Sequence, residues 1–146
     1  FHSRFSAKKR TYKYIIINRI GSLTINRDRA WHIKKKLNIN LMKKAGRLLM
    51  GKRDFSTFRA SSCNAKSAVK TIENISIIKS KSEIISIFKS RSFLQQQVRS
   101  MMGCIKYVGE EKWTIKKFKE IMLSKKRELC APPAPAQGLY LYRVDY

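Results

Sequence analysis

"TIENISIIKSKSEIISIFK", residues 71–89, is the stretch that decides the fold. Two short isoleucine-rich runs, Thr71–Ile78 and Glu83–Lys89, flank the polar tetrad Lys79-Ser80-Lys81-Ser82. Runs rich in β-branched residues favour extended backbone, because their side chains pack well on a pleated surface. A small polar spacer between two such runs predicts a hairpin. A hairpin forces antiparallel pairing, so this segment predicts an antiparallel sheet.

On the N-terminal side of the hairpin, Tyr12–Ile17 reads as a strand and Asn18–Arg29 as a loop, with Gly21, Asn26 and Asp28 as turn residues. Asn38 is placed to cap a helix whose Leu41, Ala45, Leu48 and Leu49 share one face, and Gly51 sits where that helix would stop. Ser61–Ser67 is small and polar and reads as a loop. On the C-terminal side, Leu94, Val98, Met101, Met102, Ile105 and Val108 form an apolar helical stripe that Gly109 ends. Thr114 predicts the cap of a further helix facing inward through Ile115, Phe118 and Met122. Ala131-Pro132-Pro133-Ala134-Pro135 cannot be helical and reads as a stiff connector, followed by a last strand over Leu139–Val144. There is no internal repeat and no linker that splits the chain. The expectation is one α+β domain over 1–146, with helices on one face of the sheet.

The 146 residues include 33 Lys and Arg against 9 Asp and Glu, a formal net charge of +24. Such a domain repels itself and is relieved beside a polyanion, so nucleic acid is the leading partner class. Abundant Lys, Ile and Asn together are also what an AT-rich genome produces without selection for binding. The three cysteines, Cys63, Cys104 and Cys130, are far apart and lack CxxC spacing. They predict neither a disulfide framework nor a zinc site, and they suit a reducing, cytoplasmic setting. His2 and His32 are too few and too separated to form a metal cluster. No apolar run is long enough to span a membrane. GxSxG, HExxH, P-loop and GxGxxG motifs are absent.

Four stretches go further in combination: "FHSRFSAKKRTYKYII" (1–16), "GKRDFSTFRASSC" (51–63), "FLQQQVRSMMGCIKYVG" (93–109) and "GLYLYRVDY" (138–146). In order and spacing they resemble the C-terminal half of the bacterial tRNA pseudouridine synthase A family. The resemblance implies a mixed, mainly antiparallel sheet backed by helices. It also implies an enzyme that isomerises uridine to pseudouridine in the tRNA anticodon stem-loop, without metal or cofactor, as a homodimer. The glycosidic bond is cut, the base rotates and a carbon–carbon bond forms, on a base flipped from its stack.

By the same resemblance Tyr12 corresponds to the active-site tyrosine, packing against the uracil and sharing in proton transfer. Arg99 corresponds to the arginine that pairs with the catalytic aspartate. Leu139 corresponds to an apolar wall for the base. Read without the family, these are a half-buried strand aromatic, a helix-surface arginine and a core leucine. Arg4, Lys8, Lys9, Arg10 and Lys13 are expected to face tRNA phosphate, which positions RNA without reading its sequence. Arg53 and Arg59 are assigned to packing with added RNA contact. Gln95 and Gln96 stand where relatives often carry histidine.

The family's nucleophile is an aspartate in a Gly-Arg-Thr-Asp motif. Asp28, Asp54 and Asp145 are the three aspartates, and none follows Gly-Arg-Thr. The expectation is therefore a C-terminal domain whose nucleophile is supplied by an N-terminal half outside these residues. The alternatives are a catalytically inactive basic RNA-binding fragment and a ribosome-associated structural protein.

Overall fold

A computed structural model of the chain describes residues 8–21 and 29–146. Among the described residues six strands and three α-helices follow in the order β1 (Lys9–Asn18), β2 (Trp31–Ile33), α1 (Ile39–Leu49), β3 (Gly51–Asp54), β4 (Val69–Ser80), β5 (Glu83–Ser90), α2 (Gln97–Gly109), α3 (Ile115–Ser124) and β6 (Leu139–Asp145). One sheet runs β2-β1-β5-β4-β3, with β6 also on β1. All pairings are antiparallel except β1 with β2. This is the α+β class that the hairpin predicts.

Strand β1 is the hub. One of its edges is taken by β5 from Arg10 to Ile17. The other edge is shared: β6 pairs with its first half, Lys9–Tyr14, and β2 with its end, Ile16–Asn18. The β4–β5 hairpin closes tighter than the tetrad suggested. Ser80 pairs with Glu83, so only Lys81 and Ser82 turn, with Lys81 in the left-handed region at φ 57°. Ile72, Ile75 and Ile77 all point into the core, although Ile72 and Ile75 are an odd number of residues apart. A bulge makes this possible: Ile72 and Asn74 oppose the adjacent Ser90 and Lys89, so Glu73 is the extra residue.

The inward face of the sheet carries Tyr14, Ile16, Ile84 and Phe88, all fully buried, in one core with the helical residues Met42, Leu49, Met101, Ile105 and Phe118. The helices do not stand on propensity alone. Both α1 and α3 lack an acidic residue in the first turn, and helices of 11 and 10 residues are marginal in isolation. Each buried Met, Leu or Phe contributes roughly 1.5–3 kcal/mol, so tertiary burial dominates. Their starts are set locally, as predicted. The Asn38 side chain accepts the Leu41 N–H at 3.1 Å, and the Thr114 hydroxyl accepts the Lys117 N–H at 3.0 Å.

Some expectations are corrected. Gly51 does follow α1, with φ +96°, but it also opens β3. That strand reads Gly-Lys-Arg-Asp and exists because Val69–Ile72 pairs with it. Helix α2 begins at Gln97 rather than at Leu94, because Gln96 adopts a left-handed φ of 62°. Asn18 belongs to β1, and β2 follows the predicted Asn18–Arg29 loop, of which residues 22–28 lie outside the described residues.

The proline connector lies as a strap along α2. The Ala134 N–H donates to the Arg99 carbonyl at 2.9 Å, and Tyr14 donates its hydroxyl to the Pro135 carbonyl at 2.6 Å. Gly103 permits the approach, since a Cβ there would overlap the Pro132 carbonyl oxygen. Gly138 lies on the Tyr14 ring, which a Cβ would meet at 2.6 Å. Gly103→Ala is expected to lower stability by about 1–3 kcal/mol through overpacking, despite alanine's better helix propensity. Urea unfolding measures this, and unchanged stability would refute the close docking of the strap.

Candidate active site

The N-terminal half of β1, the start of α2, the preceding 92–96 turn and the first residue of β6 surround an open cleft of about 860 Å³. Tyr12, Arg99 and Leu139 all line it, as does Arg10. These residues are far apart in sequence, and the reasons for their convergence are local. Tyr12 lies opposite Phe88 and lines the cleft together with the first residues of α2. Arg99 sits in the first turn of α2 next to the core residue Val98. Leu139 pairs with Tyr14, so β6 delivers it beside β1.

The Arg99 side chain is oriented rather than loose. Its Nε donates to the Ala134 carbonyl at 2.7 Å, reciprocating the backbone bond in the other direction. The terminal guanidinium nitrogens form no ion pair among the described residues. A guanidinium fixed at Nε presents its Nη edge as a fork suited to a carboxylate or phosphate. Tyr12 is held by an edge-on contact with Phe93, with ring centroids 5.3 Å apart and planes at 81°. A third basic residue, Lys70, joins from β4 and donates to the Ser92 hydroxyl at 3.0 Å. Among the described residues, no Asp or Glu lines the cleft. Its chemistry is that of an anion-accepting site with an aromatic and an aliphatic wall.

The floor under the turn is Gln97, which is fully buried. Its Oε1 accepts the Leu94 N–H at 2.8 Å and so shapes the turn that carries Phe93. Cys63 also lines the cleft, and the backbone hydrogen bond from Ala65 draws its thiol below the ordinary range. Tyr14 lies behind the site. Burial pushes its hydroxyl well above the ordinary phenol range, and Arg99 opposes that shift only partly. It therefore acts as a donor, not as an acid.

The remaining predicted residues scatter. Lys8 is exposed, and Lys9 pairs with Glu73 at 3.4 Å. Lys13 lies on the far side of the sheet, its Nζ 5.1 Å from the Tyr142 ring centre and 5.9 Å from that of Tyr140. Arg4 is outside the described residues. Arg53 and Arg59 serve the backbone: Arg53 Nε donates to the Met50 carbonyl, and Arg59 Nη2 donates to the carbonyls of Cys63 and Ala65. In the same motif Phe55 and Phe58 are buried, and Thr57 donates to the Ile121 carbonyl. Sequence reasoning passed over Phe93, Gln97 and Lys70. Phe93 opens one of the quoted motifs and was accessible to it. Lys70 carries no local signal, because only the β4–β5 pairing brings it near Ser92.

The chain is also similar to known proteins. A family model described as tRNA pseudouridine synthase matches residues 45–146. A protein of Pelagibacter ubique named tRNA pseudouridine synthase A is 60% identical over 147 residues, covering 100% of this chain and 59% of the relative. Proteins of the same name from Parvibaculum lavamentivorans and Xanthobacter autotrophicus are 46% and 47% identical over 146 residues. They too are matched over all of this chain and over 59% and 60% of their own lengths. The chain thus spans about three-fifths of the length of these relatives. With a family model matched across more than half its length, the chain belongs to the tRNA pseudouridine synthase family.

Proposed function

We propose that the chain is the C-terminal part of a tRNA pseudouridine synthase acting on uridines of the anticodon stem-loop. The observation that carries this reading is the convergence of Tyr12, Arg99 and Leu139 on one basic cleft. The flipped uracil lies between the Tyr12 ring and Leu139, two surfaces that accept a base face without reading its edge. Tyr12 also offers a hydroxyl for proton transfer at the base. Arg99, set by the Ala134 carbonyl, holds and orients the carboxylate of the nucleophile. That aspartate comes from protein outside these 146 residues. Asp54 is occupied by the Ser56 N–H at 2.8 Å, Asp145 pairs with Arg143 at 2.7 Å, and neither lines the cleft; Asp28, outside the described residues, does not follow Gly-Arg-Thr.

Arg10, Lys8 and Lys9 extend the basic surface outward along β1, and Arg4 precedes them in sequence. They would hold the tRNA backbone while the cleft takes the base, in the cytoplasm where tRNA is processed. A homodimer is supported by the sheet face turned away from the helices. Ile15, Ile17, Ile85 and Ile87 are only half-buried there, and Ile78 is 56% exposed. A clustered aliphatic surface of this kind marks an interaction site.

In the enzyme completed by its aspartate-bearing segment, Arg99→Ala is expected to lower turnover by roughly 10²–10³-fold, since an oriented carboxylate loses its counter-charge. tRNA affinity should fall far less. Release of tritium from C5-labelled uridine in tRNA measures the first and filter binding the second. Intact turnover would remove Arg99 from this role. If no aspartate-bearing segment restores activity while tRNA still binds, the chain is an inactive RNA-binding fragment.

For tRNA binding by the chain itself, about five phosphate contacts predict a slope of log affinity against log salt of roughly −3 to −4. A flat dependence would refute the phosphate-contact reading. Light scattering is expected to give a dimer that Ile85→Asp dissociates, and a monomeric wild-type chain at high concentration would refute the proposed interface.

A further inference from the structure

Two of the three cysteines meet in the fold. Cys104, in the middle of α2, is fully buried, and Cys130 sits at the head of the proline strap, 26 residues later. Their sulfurs are 3.4 Å apart. Both are free thiols. A disulfide needs about 2.0 Å between sulfurs, so closure requires a movement of little more than 1 Å. The backbone on both sides is already held in place. Gly103 lies against the Pro132 carbonyl, and the Ala134 N–H bonds to the Arg99 carbonyl.

The two sulfurs are not equivalent. Cys130 lines a second cavity, of about 380 Å³, together with Arg59, Ser61, Ser62 and Arg127. Its sulfur is in hydrogen-bond contact with that of Cys104, and this contact and the field of Arg127 draw its thiol down against the opposing effect of burial. The same contact and its full burial push the Cys104 thiol up. The pair therefore has a reachable nucleophile backed by a shielded resolving thiol, the arrangement of peroxide-sensitive dithiols.

We propose that Cys104 and Cys130 are a peroxide-reactive dithiol site whose oxidation to a disulfide locks the proline strap onto α2. The Cys130 thiolate attacks one oxygen of hydrogen peroxide. The O–O bond breaks, hydroxide leaves and is protonated to water, and Cys130 becomes a sulfenic acid. The Cys104 sulfur then attacks the Cys130 sulfur. The S–S bond forms, the S–O bond breaks, and the departing hydroxide takes the Cys104 proton as a second water. Two thiols are oxidised and one peroxide is reduced by two electrons. The strap also carries Ala134, the partner of Arg99, so the link secures the segment that orients the guanidinium. The inference does not depend on the proposed catalytic role.

The test treats the chain with hydrogen peroxide, blocks remaining thiols with iodoacetamide and maps tryptic peptides by mass spectrometry. The expected product carries a Cys104–Cys130 cross-link and a single alkylated cysteine, Cys63. Its melting temperature rises by roughly 5–10 °C without reductant, and dithiothreitol reverses the change. In Cys104→Ala, Cys130 is expected to stop as a sulfenic acid that dimedone traps. A cross-link through Cys63, oxidation of Cys63 ahead of Cys130, or three alkylated cysteines after peroxide would each overturn the proposal. The peptide map of the unmutated chain decides even if the variant fails to fold.

Discussion

The strap formed by residues 131–135 touches both halves of the molecule, and the candidate site depends on where it lies. Two reciprocal hydrogen bonds join Arg99 and Ala134, one through the backbone and one through the guanidinium. One residue further on, Pro135 accepts the Tyr14 hydroxyl and so ties the strap to β1. Helix, strap and strand are thereby clamped within a few residues of the cleft. The prolines matter for the entropy of this arrangement. A chain restricted in φ before folding loses less freedom when it docks. Gly103 supplies the space, and its missing Cβ is as much a part of the site's geometry as any side chain lining it.

The sheet answers a different need. A strand that carries functional side chains must be held more rigidly than an edge strand allows, and β1 has partners along both edges. The division of one edge between β6 and β2 brings Leu139 level with Tyr14, beside the cleft that Tyr12 lines. Core burial then anchors the strand from within through Tyr14 and Ile16. The result is a fixed platform whose open end borders the cleft and whose closed end supplies stability.

The charge of the molecule fits this division of labour. The cleft gathers Arg10, Lys70 and Arg99 without any carboxylate, so its field is positive where an anionic partner would enter. Other cations are spent on structure. Arg53, in β3, and Arg59, just beyond it, bind backbone carbonyls, and Lys106 pairs with Glu110 at 2.8 Å at the end of α2. Net charge therefore points to a polyanion, and only the tertiary structure separates the cations that line the cleft from those that do not.

Much of the fold was legible in the residues alone, wherever the signal was local. Isoleucine runs predicted the β4–β5 hairpin, Asn38 and Thr114 announced two helix starts, and consecutive prolines excluded a helix over 131–135. The motifs that contain Tyr12, Arg99 and Leu139 were also readable as residue strings, and the fold brings these three residues to one cleft. Tertiary structure alone decided which cations share the cleft and which do not. It set Lys13 on the far face, brought Lys70 and Phe93 to the cleft, and made β3 from a polar tetrapeptide. It also placed two cysteines, 26 residues apart, within contact. Such outcomes depend on register, a bulge and a strap's docking. They arise from contacts between distant segments, and no local pattern encodes them.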